Sequence, residues 1–215
     1  MADSAYPRRS LRDQLPRMLA EGTLIVLSIL LGFVVNEWRL QRSEQELAAT
    51  AVERFRSEIR HNRASVEERL AYHEGIVARA EAELATPGPE DEPLLAMLER
   101  VAPRGILPPD LRDTAWQSAL ASRALEKMDY DLTFVIATVY RNQAVGADQT
   151  WRRIVDEFVR PESFLEGRRL AVLQFLWISS KELVSQEQSL IKLYAWAESV
   201  LDGEVDPKDA RESIE

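Results

Sequence analysis

The side chains with the widest chemical range are few and far apart. His61 and His73 are the only two histidines and cysteine is absent. Disulfides, iron–sulfur clusters, thiolate zinc sites and cysteine nucleophiles are therefore excluded. On one helix, twelve residues separate the two rings by about 18 Å along the axis and about 120° around it, too far to share a metal within one chain. Both are expected to be partly exposed helix histidines. His73 falls on an apolar stripe, so it is the one that could sense pH near neutrality.

Other groups invite chemistry and lose it to their spacing. Trp116, Trp151, Trp177 and Trp196, with Tyr130, Tyr140 and Tyr194, could form an aromatic cage. Their intervals follow helical stripes, which core packing explains. Trp151-Arg152-Arg153 and Arg168-Arg169 are basic islands, but from Arg39 onward 23 basic residues face 32 acidic ones. They read as salt-bridged surface rather than an anion site. Glu90-Asp91-Glu92 could attract a hard cation, yet adjacent acids lack the ligand spacing of a calcium loop. No GxSxG, HExxH, GxxxxGK[ST] or GxGxxG pattern occurs. No catalytic, cofactor-binding or metal-ligating residue is assigned, and no cofactor is expected.

What remains is architecture. The 215 residues make one domain, or one domain with an appendage. Eight glycines and ten prolines are about 8% of the chain, against a usual ~12%, which favours helix over turn-rich β structure. Apolar residues make up 46%, enough for a core, and the net charge of −9 is the wrong sign for nucleic acid.

The most informative stretch is 18–38. Its strictly apolar heart, 24–35, includes only Ser28 and Gly32 as small or polar interruptions. Between Arg17 and Arg39 lie 21 residues, about 32 Å of helix, which matches a hydrocarbon core of roughly 30 Å. Both arginines can snorkel outward, and Trp38 stands where an interfacial aromatic belongs. Asn36-Glu37-Trp38-Arg39 follows the run in place of small residues, and Ala48-Ala49-Thr50-Ala51 comes too late for cleavage. An uncleaved signal anchor is expected. Arg8, Arg9, Arg12 and Arg17 precede the span, while Arg39 and Arg42 follow closely. That bias favours an N-terminus in the cytoplasm and the rest of the chain on the far side of the membrane.

Ile29-Leu30-Leu31-Gly32-Phe33-Val34-Val35-Asn36-Glu37-Trp38, followed by Arg42, resembles the N-terminal anchor of a group of small uncharacterised bacterial membrane proteins. In that group an apolar run with a small residue leads into Asn-x-Trp and a polar helical stretch. Thr114-Ala115-Trp116, Leu120, Leu125, Leu132 and Tyr140 are similar to a second shared stretch. This chain has Ser122-Arg123 where the group commonly carries a glycine. The resemblance implies a one-span envelope protein with a helical domain, and no catalytic residues.

Helical period governs the remainder, and no β-like alternation occurs. Val52, Phe55, Ile59, Asn62 and Val66 form a 3-4-3-4 seam. Leu70, His73, Val77, Ala80 and Leu84 continue it, so one helix can run unbroken from the span to residue 85. Breaks at 86–93 and 103–109 flank a short helix, 94–101. Asp110 and Asp113 are expected to start a helix reaching about 128. Asp131 starts another to 160, weakened at Gly146, and a last helix covers 162–201 with Gly203 closing it. Leu173, Leu176, Ser180, Leu183, Glu187, Leu190, Tyr194 and Leu201 share its stripe.

The expectation is an all-α protein: an N-terminal transmembrane helix continuing into a long amphipathic helix, and an up-and-down bundle. Its parts are a basic cytoplasmic arm (1–17), the span (18–38), a polar stalk (39–50), the bundle (51–202) and a flexible charged tail (203–215). Ser28 and Gly32 form a small-xxx-small pair. With Val52, Phe55, Ile59 and Asn62 they make a candidate helix-association face. The lipid bilayer and a protein partner or second copy are the expected partners. The expected function is an anchored interaction or scaffold protein. The alternatives are a ligand-sensing bundle that signals through a partner, and a tethered enzyme of unknown class.

Overall fold

The computed structural model describes residues 11–89, 92–165 and 167–213, with side chains from Met18 onward. Among them no β-strand forms. The helices are α1 (Leu11–Ala85), α2 (Leu94–Val101), α3 (Thr114–Ala121), α4 (Tyr130–Gln143), α5 (Gln149–Phe158), α6 (Arg169–Leu201) and α7 (Pro207–Glu212). The chain divides into two compact units, Met1–Leu47 and Ala48–Glu215, and α1 contributes to both.

In the first unit the apolar run is helical and its large side chains are all exposed, Leu24 to 67% and Phe33 to 68%. This is the one helix among the described residues long and apolar enough to cross a membrane. Polar residues beyond it satisfy one another along the helix, as in the Arg42–Glu46 pair at 3.0 Å.

In the second unit the core is built from the stripes that the helical period marks. Phe55, Ile59 and Val66 of α1, Val135, Ile136 and Val139 of α4, and Leu173, Leu176, Leu183 and Tyr194 of α6 share one cluster. Ion pairs fix the direction of α6 against α1. Arg56 meets Asp202, Arg63 meets Glu198, His73 meets Glu187, and Glu83 meets Arg169. Each step forward on α1 is a step back on α6, so the two pack antiparallel in a helical bundle.

Several boundaries differ from the sequence expectation. The helix expected over 110–128 is shorter: α3 starts at Thr114, a 3-10 turn follows at Ala124–Lys127, and Asp113 stands at the N-cap position without a capping bond from its side chain. Instead Ala115 donates its backbone N–H to both carboxylate oxygens of Glu58, at 3.0 Å each. A carboxylate from a distant part of the chain thus satisfies the helix start, which no local pattern could show. The N-cap of α4 is Asp129, accepting from the Leu132 N–H, not Asp131.

The helix expected over 131–160 splits at Ala144–Asp148, a wide π-type turn in which Gly146 takes φ −95° and ψ −107°. That conformation is outside the helical region, and glycine reaches it without a side-chain clash. The last long helix starts at Arg169 rather than 162, because a 3-10 turn at Pro161–Phe164 and Gly167 at φ +79° precede it. Gly203, at φ +78°, closes α6 as expected.

Part of the tail over 203–213 is helical. Asp206 accepts from Lys208, Pro207 opens α7, Ala210 is buried, and Arg211 pairs with Asp131 of α4 at 2.7 Å. A capping aspartate followed by proline outweighed the charged composition.

Candidate functional site

The anchor residues stand in the first unit as follows. Trp38 is 61% exposed and Arg39 is exposed, while the Arg17 side chain lies outside the described residues, as does the arm over 1–10. The Ser28 hydroxyl donates to the Leu24 carbonyl at 2.8 Å, so its own helix satisfies it. A Cβ on Gly32 would meet nothing within 4 Å.

The seam residues have a different fate. Phe55, Ile59 and Asn62 are fully buried within their own unit and Val52 is half-buried against the same core. Within the chain these apolar side chains belong to the core of their own unit, with Phe55 packed on Trp116 and Tyr140. Asn62 pins a loop rather than a partner helix. Its Nδ2 donates to the Arg112 carbonyl at 2.7 Å and to Gln143 Oε1 at 3.0 Å, and its Oδ1 accepts from the Arg112 N–H at 2.8 Å. Tyr194 donates to the same Gln143 oxygen at 2.7 Å, and Gln143 Nε2 donates to the Arg112 carbonyl at 3.1 Å. Every polar atom of this buried amide pair that faces the core has a partner, which such a site requires.

Beside it lies the buried carboxylate of Glu58. It accepts from the Tyr140 hydroxyl at 2.7 Å as well as from Ala115. Burial, then the hydrogen bond to Glu58, pushes the Tyr140 phenol well above its ordinary range, so it stays a donor. Trp116 stacks on Tyr140, with ring centroids 5.6 Å apart and planes 24° apart.

Above this network opens a cavity of about 350 Å³, with Tyr140 and Gln143 as its floor and Trp116 on its wall. Its rim carries both signs of charge, Asp113 and Asp148 with Arg141 and Arg152, and the Arg152–Asp148 pair closes at 3.0 Å. The π-type turn supplies Ala144 and Asp148 to this wall, so the bend at Gly146 helps shape the opening. The volume lies in the range of small-molecule sites. An aromatic face beside paired charges can hold a small polar ligand by stacking and by exchanging ion-pair partners. The Tyr140 hydroxyl is already committed to Glu58, and the Gln143 amide to Asn62, Tyr194 and the Arg112 carbonyl.

A second cavity, of about 340 Å³, is almost wholly apolar. Ile106, Leu107 and Pro108 of the 103–109 loop form one side, and Trp151, Val155 and Phe158 of α5 another. The loop's other face rests on α1. Tyr72 donates its hydroxyl to the Gly105 carbonyl at 2.7 Å and accepts from the Arg104 N–H at 3.0 Å.

His73 is not partly exposed. It is 1% exposed and Glu187 not at all. Its Nδ1 lies 2.8 and 2.9 Å from the two Glu187 oxygens, and its Nε2 lies 2.7 Å from the Ile106 carbonyl. Burial alone would lower its pKa, but the Glu187 carboxylate and the loop carbonyl outweigh that and raise it. Both residues sit on sequence stripes; only folding pairs them. His61, by contrast, is a surface partner of Asp110 at 2.9 Å.

Charge also clusters where the 86–93 break meets two helices. Glu83 receives Arg100 and Arg169 at 2.8 and 2.7 Å, and Arg169 also approaches Glu92 at 3.3 Å. The guanidiniums, Arg100 first, hold the Glu83 carboxyl down at about 2. Arg169, of one basic island, and Arg152 and Arg153, of the other, all have carboxylate partners. Glu90 and Asp91 lie outside the described residues; Glu92 serves an arginine. Among the described residues no group of three or more histidine, aspartate or glutamate side chains could hold a metal ion.

No protein-family model, curated protein or solved structure matches this chain.

Proposed function

We propose that the protein is a single-span, membrane-anchored interaction module of the bacterial envelope. In this reading 18–38 crosses the inner membrane with the N-terminus in the cytoplasm, and the bundle works outside. The observation that carries it is the contrast in the apolar run. More than a dozen large apolar side chains stand exposed there in one helix, far beyond the patch a water-soluble surface tolerates. The arginine bias before the span supports the orientation.

The likeness to the Asn-x-Trp anchor group belongs to the same reading. Arg123 supports it from an unexpected side, since it takes φ +58°, the conformation that suits the glycine commonly found there. The sought partner is another envelope protein or a second copy. Crosslinking in intact cells, followed by identification of the captured chain, tests this. A protein that stays monomeric and captures nothing, or that alkaline carbonate strips from membranes, ends the proposal.

A second reading, ligand sensing by the bundle, is favoured by one observation, the 350 Å³ cavity beside Trp116 and Tyr140. A thermal-shift screen of small polar metabolites discriminates. Sensing requires a stabilising ligand whose effect disappears in Trp116→Ala.

A further inference from the structure

His73 sits between two acceptors. A neutral imidazole has one N–H and one lone pair, so it cannot donate to both the Ile106 carbonyl and the Glu187 carboxylate. The observed spacing, with both ring nitrogens within 2.9 Å of an oxygen, therefore requires one proton more than a neutral ring and an ionised carboxylate hold together. That proton makes an imidazolium facing the two carboxylate oxygens almost symmetrically. Losing it sets a lone pair against an oxygen on one side or the other and leaves the Glu187 charge buried without compensation.

The element at the far end of this bond is the 103–109 loop, which walls the apolar cavity. The loop's other ties are the Tyr72 hydroxyl, which bonds both Gly105 and Arg104, and the packing of Ile106 against the core. Against them, Leu107 takes φ +51°, a left-handed conformation unfavourable for leucine. We propose that the proton shared by His73 and Glu187 is a latch on this loop: while it is held, the loop is drawn onto α1, and its loss on the alkaline side frees the loop and remodels the wall of the apolar cavity.

The groups facing the latch come from three elements. α6 presents Glu187, with Gln188 beside it donating to Glu74 of α1 at 3.2 Å. The loop presents the carbonyls of Ile106 and Leu107. α1 presents Tyr72, its ring 6.0 Å from the imidazole, with Arg79 and Arg104 over that ring. The carboxylate is in direct contact with the imidazole, while the two guanidiniums rest over the Tyr72 ring, so the carboxylate governs the proton.

The full-length protein in phosphatidylcholine nanodiscs, with carbon-13-labelled histidine, gives two imidazole signals, assigned with His61→Gln. His73 is expected to titrate above the ordinary value of about 6.5. Deuterium exchange of the Arg104–Leu107 amides, corrected for intrinsic rates, is expected to rise with that titration. One linked proton allows up to about tenfold per pH unit beyond it. Glu187→Gln can donate its amide to Nδ1 while a neutral ring keeps its Nε2–H on Ile106, so its loop exchange should be flat from about pH 6.5 to 9. His73 titrating at or below the ordinary value, loop exchange indifferent to its titration, or a wild-type pH profile in Glu187→Gln each overturns the latch. Should that variant not fold, the two wild-type measurements decide.

Discussion

The 18–38 portion of α1 and the stripe of α6 invert the usual relation between apolarity and burial. The former is the most apolar stretch of the chain and its side chains are exposed; the latter mixes polar residues with leucines, yet Leu176 and Leu183 are buried. Both are helices and neither differs in backbone chemistry. An apolar stripe narrower than half a helix finds cover on neighbouring helices. An apolar surface all the way round needs a surrounding apolar medium. The comparison teaches that the first unit leaves its apolar surface uncovered, whereas the second covers its own in a core.

Charge inserted in the two places breaks the comparison most sharply. Leu176→Arg puts an unpaired cation into the core and is expected to abolish cooperative unfolding, read by circular dichroism. Leu27→Arg with Leu31→Arg should leave that transition untouched, since both side chains are exposed. It should instead release the chain into the carbonate-soluble fraction, at a cost of roughly 5–7 kcal/mol for two central arginines in a bilayer. Leu27→Arg/Leu31→Arg remaining fully membrane-bound would contradict the span.

Truncation gives the next largest contrast. Leu176→Ala is expected to lose about 2–5 kcal/mol in denaturant titration, while Leu30→Ala loses essentially nothing from the bundle transition. Within the bundle, Glu58→Ala orphans the Tyr140 hydroxyl and the Ala115 N–H. It should cost about 1–3 kcal/mol more than Glu67→Ala, an exposed control on the same helix.

The smallest effect comes from Glu83, whose carboxyl titrates at about 2 against an ordinary 4.5. A depressed carboxyl contributes stability above its unfolded value and loses it as the pH falls through the window from about 4.5 to 2. Glu83→Gln should flatten that part of the acid-denaturation curve by about 1 kcal/mol, with no change at neutral-to-alkaline pH beyond a constant offset.

Much of this architecture is legible in the one-dimensional pattern. Every residue of the α6 stripe drawn from three-and-four spacing is buried, including Glu187, and the α1 seam from Phe55 to Val66 is buried too. Periodicity succeeds there because a helix presents one face, whatever the partner. It fails at helix starts and ends. Glu58, not the side chain of the local Asp110 or Asp113, satisfies α3, and the seam asparagine binds the Arg112 backbone. The tail's helix rests on α4 through Ala210 and Arg211, contacts that composition does not encode.

The order of residues alone determined that the chain is helical, where its apolar run lies, and which faces of α1 and α6 turn inward, since these depend on a 3.6-residue repeat. Only the tertiary structure decided that His73 meets Glu187, that the 103–109 loop completes the pair, and that a cavity opens beside Trp116. Those outcomes depend on distances between residues scores of positions apart, and such distances come into being only when helices pack.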